Sequence, residues 1–182
     1  VSSFPDSRLE ADPGTSGTEA VATRYRAAMR HYPAGVTIVT LGDAEHPVGF
    51  TATSFASLSM DPPLISFNIA QNSSSIAAML ATDSLVVHFL GAHQQTLAQR
   101  FARAAGERFA DPELWTTLAS GEPVLHGTPI WVRATVRQRM ELGDHTLVIG
   151  EVTDVFDNTA EQPITAPLVY FNGNYHRPDR LE

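Results

Sequence analysis

The stretch from Ile130 to Phe156 leaves this chain the least freedom. Residues 130–142 alternate, with Val132, Ala134, Val136 and Met140 on one face and Trp131, Arg133, Arg137 and Arg139 on the other. A period of two is the mark of a strand with one covered face. Gly143-Asp144 is a turn signal, and residues 146–156 return as the partner strand, so the segment predicts a long antiparallel hairpin.

Upstream the pattern supplies more strands. Residues 36–41 are rich in β-branched side chains, Gly42-Asp43 marks a turn, and residues 48–55 resume an extended run. Pro62-Pro63 punctuates the chain before a strand over 64–69. Residues 85–90 read as a strand buried on both faces, and 167–171 as a short one ending in Asn172-Gly173. Helices are few. One carries Val21, Tyr25, Ala28 and Tyr32 and must stop near His31, because the residue before Pro33 is pushed out of helical geometry. A short one follows Asn72 and three serines, and an amphipathic one over 94–105 places Leu97, Phe101 and Ala104 on a stripe. Strands and helices do not alternate regularly, which argues against a doubly wound parallel sheet. The prediction is a mainly β (α+β) protein, a closed antiparallel barrel with flanking helices. Residues 1–17 lack any apolar period and read as a disordered tail before a single domain over 18–182.

Composition narrows the chemistry. The 182 residues contain no cysteine, which removes disulfides, thiolate metal sites and a cysteine nucleophile. All twelve basic residues are arginine, so there is no Walker-type phosphate lysine and no Schiff base. A net charge of −8 argues against nucleic acid or an anionic membrane as partner. No apolar run reaches membrane-spanning length and no leader pattern opens the chain, so the expected location is the cytoplasm.

Two polar patches stand out. Thr51, Thr53, Ser57 and Ser59, with Ala52, Ser54 and Phe55 between them, align hydroxyls along one extended run. Such a row holds a phosphate without lysine, or is simply a solvated strand face. Asn68 and then Asn72, Ser73, Ser74 and Ser75 open a helix, where free N–H groups attract an anion or the serines merely cap. The seven histidines form no metal constellation, and His145 in a turn and His176 behind one are each as compatible with a structural role as with a site. The Arg133, Arg137 and Arg139 row either binds an anion, pairs with acidic neighbours or meets a partner chain. Gly-x-Gly-x-x-Gly, Gly-x-Ser-x-Gly and paired carboxylates are absent.

The order of motifs goes further. Pro33-Ala34-Gly35-Val36-Thr37, then Gly49-Phe50-Thr51-Ala52-Thr53-Ser54-Phe55, Pro62-Pro63-Leu64, the helix-opening serines, Gly143-Asp144-His145 and Gly173-Asn174-Tyr175-His176 together resemble the flavin reductase-like family over about residues 24–178. The resemblance implies a homodimeric split β-barrel of the flavin reductase/FMN-binding type. It implies hydride transfer from NADH (or NADPH) to FAD or FMN, and reduced flavin passed to a separate flavin-dependent monooxygenase. Thr51, Ala52, Thr53, Ser54, Phe55 and Ser57 would line the isoalloxazine and ribityl chain, with Gly35 and Val36 closing the other side. Ser57, Ser59 and the Asn72–Ser75 helix end would supply phosphate donors, Asn68 would also bind the cofactor, and His145 and His176 would position the flavin or nicotinamide. Asn174 stands where the family often has a basic residue. Other roles on the same barrel are a flavin or haem carrier without turnover, or a docking subunit of an oxygenase.

Overall fold

The computed structural model describes residues 17–179. The chain runs α1 (Gly17–Met29), β1 (Ala34–Gly35), β2 (Thr37–Leu41), β3 (Val48–Ala52), β4 (Ala56–Met60), β5 (Pro63–Ala70), α2 (Ile76–Ala81) and β6 (Ser84–Phe89). It continues through α3 (Gln95–Phe101), α4 (Ala105–Arg108), β7 (Trp115–Thr117), β8 (Pro123–Leu125), β9 (Ile130–Leu142), β10 (His145–Asp157), β11 (Val169–Phe171) and β12 (Asn174–His176). Of the tail expected over 1–17, only Gly17 falls within the described residues, and it opens α1. No helix of the described residues is long and apolar enough to cross a membrane.

Seven strands form one antiparallel sheet in the order β3-β2-β6-β9-β10-β5-β4, while β1, β11 and β12 form a second. The long hairpin is its centre: β9 pairs with β6 on one side and β10 pairs with β5 on the other. The two outermost strands, β3 and β4, are consecutive in sequence and separated only by residues 53–55. The sheet must therefore curl until its edges meet, and the rings of Phe50 on β3 and Phe67 on β5 lie 6.2 Å apart inside it. The result is a barrel left open along one seam, a split barrel rather than the closed one the strand pattern alone suggests. Val39, Leu41, Phe67, Leu85 and Val148 fill it, with Met79 of α2 as a plug.

One expectation about the hairpin is corrected. Strict alternation puts Arg139 outside with Arg133, and Met140 inside. The ladder slips between Ile149 and Gly150, which pair with Gln138 and Val136 and leave Arg137 unopposed. A bulge inserts one residue and re-phases everything beyond it. Arg139 thus pairs with buried Val148 on the inner face, where its guanidinium donates to the carbonyls of Met79 and Thr82 at the end of α2. The arginine row is dispersed: Arg133 pairs with Glu122 and Arg137 with Glu151. The helix expected over 94–105 is also interrupted. It ends at Phe101, and the Arg103 carbonyl beyond it accepts from both Nε and Nη2 of Arg108.

A buried polar network ties the segment around β8 to the barrel. His88 is fully buried, with Nε2 3.1 Å from Thr40 Oγ1 and Nδ1 3.0 Å from Thr128 Oγ1. Those hydroxyls donate in turn to the carbonyls of Pro123 and Leu125. Burial pushes the His88 imidazole from 6.5 down to about 3. Beside it, burial raises the Glu122 carboxyl, but hydrogen bonds from Arg133, Ser120 and Ser84 outweigh it and hold the group at about 2.

Both shifts have the same sign in their effect on stability. As pH falls, the unfolded histidine takes up a proton near 6.5 and the unfolded glutamate near 4.5, while the native groups wait until about 3 and about 2. The unfolded state binds more protons across this window, so stability falls with falling pH, by at most about 1.4 kcal/mol per pH unit for each group. Urea midpoints measured from pH 7 to 4 should decline accordingly. In His88→Gln the decline should be shallower above pH 4.5; an unchanged profile would show that His88 does not carry it.

Candidate active site

The seam is where backbone is left over. The β2–β3 ladder ends at Thr37–Ala52 and the β4–β5 ladder begins at Ala56–Ser66, so residues 53–55 have no ladder partner. Thr37 Oγ1 donates to the Ala52 carbonyl and closes the strand there. The connector is held instead by one side chain: Ser54 Oγ accepts the Asn68 N–H at 2.8 Å and donates to the Asn68 carbonyl at 3.2 Å. The run expected over 48–55 therefore breaks at Ala52, and the hydroxyls do not form one row.

Around this connector lies a cleft of about 700 Å³, walled by Thr51 to Ser54, Asn68, the Asp144-His145 end of the long hairpin, and Tyr25 and Arg26 of α1. Thr51 Oγ1 is spent on the Ala98 carbonyl at 2.7 Å. The Thr53 hydroxyl and the Asn68 side-chain amide have no partner among the described residues and remain available to a ligand. His145 Nδ1 lies 2.7 Å from Asp144 Oδ1. That hydrogen bond, with a smaller contribution from Arg26, holds the Asp144 carboxyl below its ordinary value. An ionised Asp144 accepts from Nδ1–H, fixes the ring orientation and leaves Nε2 as the free nitrogen.

The other candidate residues stand elsewhere. Gly35 and Val36 line a separate apolar cleft of about 290 Å³ with Phe55 and Phe89, on the far side of the connector. Ser57 and Ser59 lie on β4, the exposed edge strand. Asn72 stands at the turn before α2, where Ser73 Oγ accepts from the Ser75 amide. Ser74 and Ser75 already accept from Arg108. His176 lines none of these clefts; its Nε2 lies 3.2 Å from the Phe171 carbonyl and its ring packs edge-on against Phe171. Trp131, on the strand face of the arginine row, is stacked on Phe156 within the chain and only 8% exposed.

Two features escaped sequence reasoning. Tyr25 and Arg26 reach the cleft because α1 lies across the seam, and nothing in a helical pattern says which way a terminal helix folds back. Arg108 spends its guanidinium wholly on neutral oxygens of Gly49, Arg103, Ser74 and Ser75. Its signal was the serine run, read as a cap or an anion site, whose hydroxyls are acceptors for a cation.

A split antiparallel barrel with a polar cleft on its seam is the frame that brings these residues together. The chain belongs to the flavin reductase like domain family, whose model matches residues 29–179. It is 60% identical over 157 residues to an NADH:FMN oxidoreductase of Rhodococcus qingshengii, covering 86% of this chain and 82% of that one. It is 32% identical over 163 residues to HsaB of Rhodococcus jostii, the reductase subunit of a flavin-dependent monooxygenase, covering 89% of this chain and 81% of the other. Among solved structures, the flavin reductase domain protein of Arthrobacter sp. FB24 superposes with a TM-score of 0.82 at 34% identity, covering 88% of this chain and 98% of that one.

Arg108→Ala strands four oxygens at once, two of them main-chain carbonyls. The expected loss is about 2–3 kcal/mol in urea unfolding, and Arg108→Lys should restore little, because three ammonium donors cannot reach a five-donor acceptor set. A loss under about 0.5 kcal/mol would show that water replaces the guanidinium.

Proposed function

We propose that this chain takes hydride from NADH and delivers it to FMN or FAD, and that the reduced flavin leaves for a separate flavin-dependent monooxygenase. The observation that carries the reading is the seam cleft, in a chain of this family: an unladdered backbone connector faces a histidine whose ring is fixed by a neighbouring carboxylate. Its relative from Rhodococcus qingshengii favours NADH as donor and FMN as acceptor. The reductase subunit from Rhodococcus jostii supports an oxygenase as recipient.

The residues present fit a flavin. Thr53 Oγ1 and the Asn68 amide offer a donor-and-acceptor edge with no competing internal partner, and the connector can present main-chain N–H and C=O groups to a heterocycle. When bound, the flavin supplies the electron-accepting ring, so the protein needs no strong acid or base. Its task is placement. His145, oriented by Asp144, would hydrogen-bond through Nε2 to a ring bound over the cleft, whose walls would shield one face of it from water. His176 supports the β11–β12 hairpin through Phe171.

A homodimer belongs to the same proposal. Its support is Leu58 and Met60, 51% and 84% exposed on edge strand β4 beside Ser57 and Ser59. A partner covering this edge would bring those hydroxyls into an enclosed site. Sedimentation of a fully active monomer at micromolar concentration would remove it. A cytoplasmic location is proposed with it, in keeping with a chain without cysteine.

Purified protein should oxidise NADH only when flavin is added. Bound flavin without turnover would mark a carrier, and neither would mark a docking subunit. His145→Ala should lower kcat/KM for NADH about tenfold with little change in melting temperature, a loss of one to two kcal/mol expected for one hydrogen bond to a reacting group. Asp144→Asn should reproduce part of that loss. His176→Ala should show the reverse balance, a lower melting temperature with nearly normal turnover.

A further inference from the structure

Arg26 near the end of α1 and Arg30, one residue beyond it, carry guanidiniums that the fold does not use. Among the described residues, Arg103, Arg133 and Arg137 have carboxylate partners, and Arg108 and Arg139 spend their donors on neutral oxygens. Arg24, Arg26, Arg30, Arg100 and Arg177 do neither with their side chains; of these, Arg26 meets only the distant field of Asp144, and it shares a cleft with Arg30. Arg26 and Arg30 stand four apart, the spacing of one helix face. Both line a second cleft, of about 600 Å³, with Tyr25, Thr53, Phe171 and Gly173. Tyr25, Arg26 and Thr53 also wall the seam cleft, so the two spaces are continuous past Arg26.

The position of Arg30 is built rather than incidental. Its carbonyl accepts the Asn172 N–H at 2.8 Å, which ties the end of α1 to the β11–β12 turn. Its guanidinium lies over Gly173, where an added Cβ would stand only 3.3 Å from Nη2 and where φ is +82°. In a protein of net charge −8 without lysine, two unneutralised guanidiniums over an aromatic-floored cleft make a local positive field. The clefts are each the size of a small-ligand site, and together they suit an elongated ligand whose ring end lies on the seam. Guanidinium pairs favour phosphate oxygens, which they engage by paired N–H bonds.

We propose that Arg26 and Arg30 hold the phosphate or pyrophosphate of a nucleotide cofactor that extends from the seam cleft along α1. The inference rests on the flavin reductase reading. The chemistry is shared by two sources, the phosphate end of the flavin and the pyrophosphate of the nicotinamide dinucleotide, and the test separates them.

Full-length wild type, Arg26→Gln, Arg30→Gln and the double variant are titrated with FMN, with riboflavin and with NADH, each binding followed by fluorescence. Thermal melts check that the fold is retained, and Arg30→Lys checks that charge rather than shape is at work. If the flavin phosphate is held here, each Gln variant weakens FMN about tenfold and leaves riboflavin unchanged. If the dinucleotide is held here, NADH weakens about tenfold while FMN and riboflavin do not move. In either case Arg30→Lys recovers part of the loss, and the salt dependence of binding flattens in the double variant. FMN and NADH affinities both within twofold of wild type in a folded double variant overturn the proposal. Wild type that binds neither FMN nor NADH overturns the flavin reductase reading itself, and this inference with it.

Discussion

A curled sheet whose first and last strands are consecutive in sequence has to be fastened where they meet, and here one hydroxyl does it. Ser54 takes both main-chain groups of Asn68, one as acceptor and one as donor, in place of the ladder rung that would otherwise zip β3 to β5. Were the rung backbone to backbone, residues 53–55 would be strand, the barrel would close, and no polar wall would face solvent there. Because the tie is a side chain, the edges stay joined while the connector is free of ladder bonds. The seam cleft, the placement of Asn68 and His145 around it, and the helix laid across it all follow from that substitution.

The barrel's other end depends on arginines acting as multidentate clips. The six-residue α2 is too short to persist alone. Arg139 takes carbonyls at its C-terminal end, and Arg108 takes the serine hydroxyls ahead of its first turn. Met79 is thereby held as a plug in the core. Neither clip works with an ammonium, whose three donors diverge from a point rather than spreading over a plane.

Much of this was legible in residue order. The hairpin of β9 and β10, the doubly buried β6 and the Asn172-Gly173 turn each carry a local signal: period two, an unbroken apolar run, a residue pair suited to positive φ. The family resemblance added the split barrel and the cofactor class. What could not be read locally were effects that depend on an opposing strand or a distant helix. The bulge at Arg137 exists only relative to Gly150, so Arg139 and Met140 were assigned to the wrong faces. Ser54 looked like one more hydroxyl in a row until Asn68 was opposite it. Ser74 and Ser75 looked like anion donors because their true partner, Arg108, lies more than thirty residues away in the chain.

The His88 network has a proton inventory that does not balance. Held neutral by burial, the ring carries one proton, and Thr40 and Thr128 carry one each. Those three protons face four contacts: two to the ring and two to the carbonyls of Pro123 and Leu125. One contact must at any instant set lone pair against lone pair, so one of the threonine hydroxyls has to choose between a ring nitrogen and a carbonyl. Which side of the ring carries the vacancy is set by the tautomer: the nitrogen without a proton is the one that faces it. Protonation in acid would fill it, completing every hydrogen bond at the moment when the buried charge is least tolerable. Bonding and solvation pull this histidine in opposite directions, and burial wins.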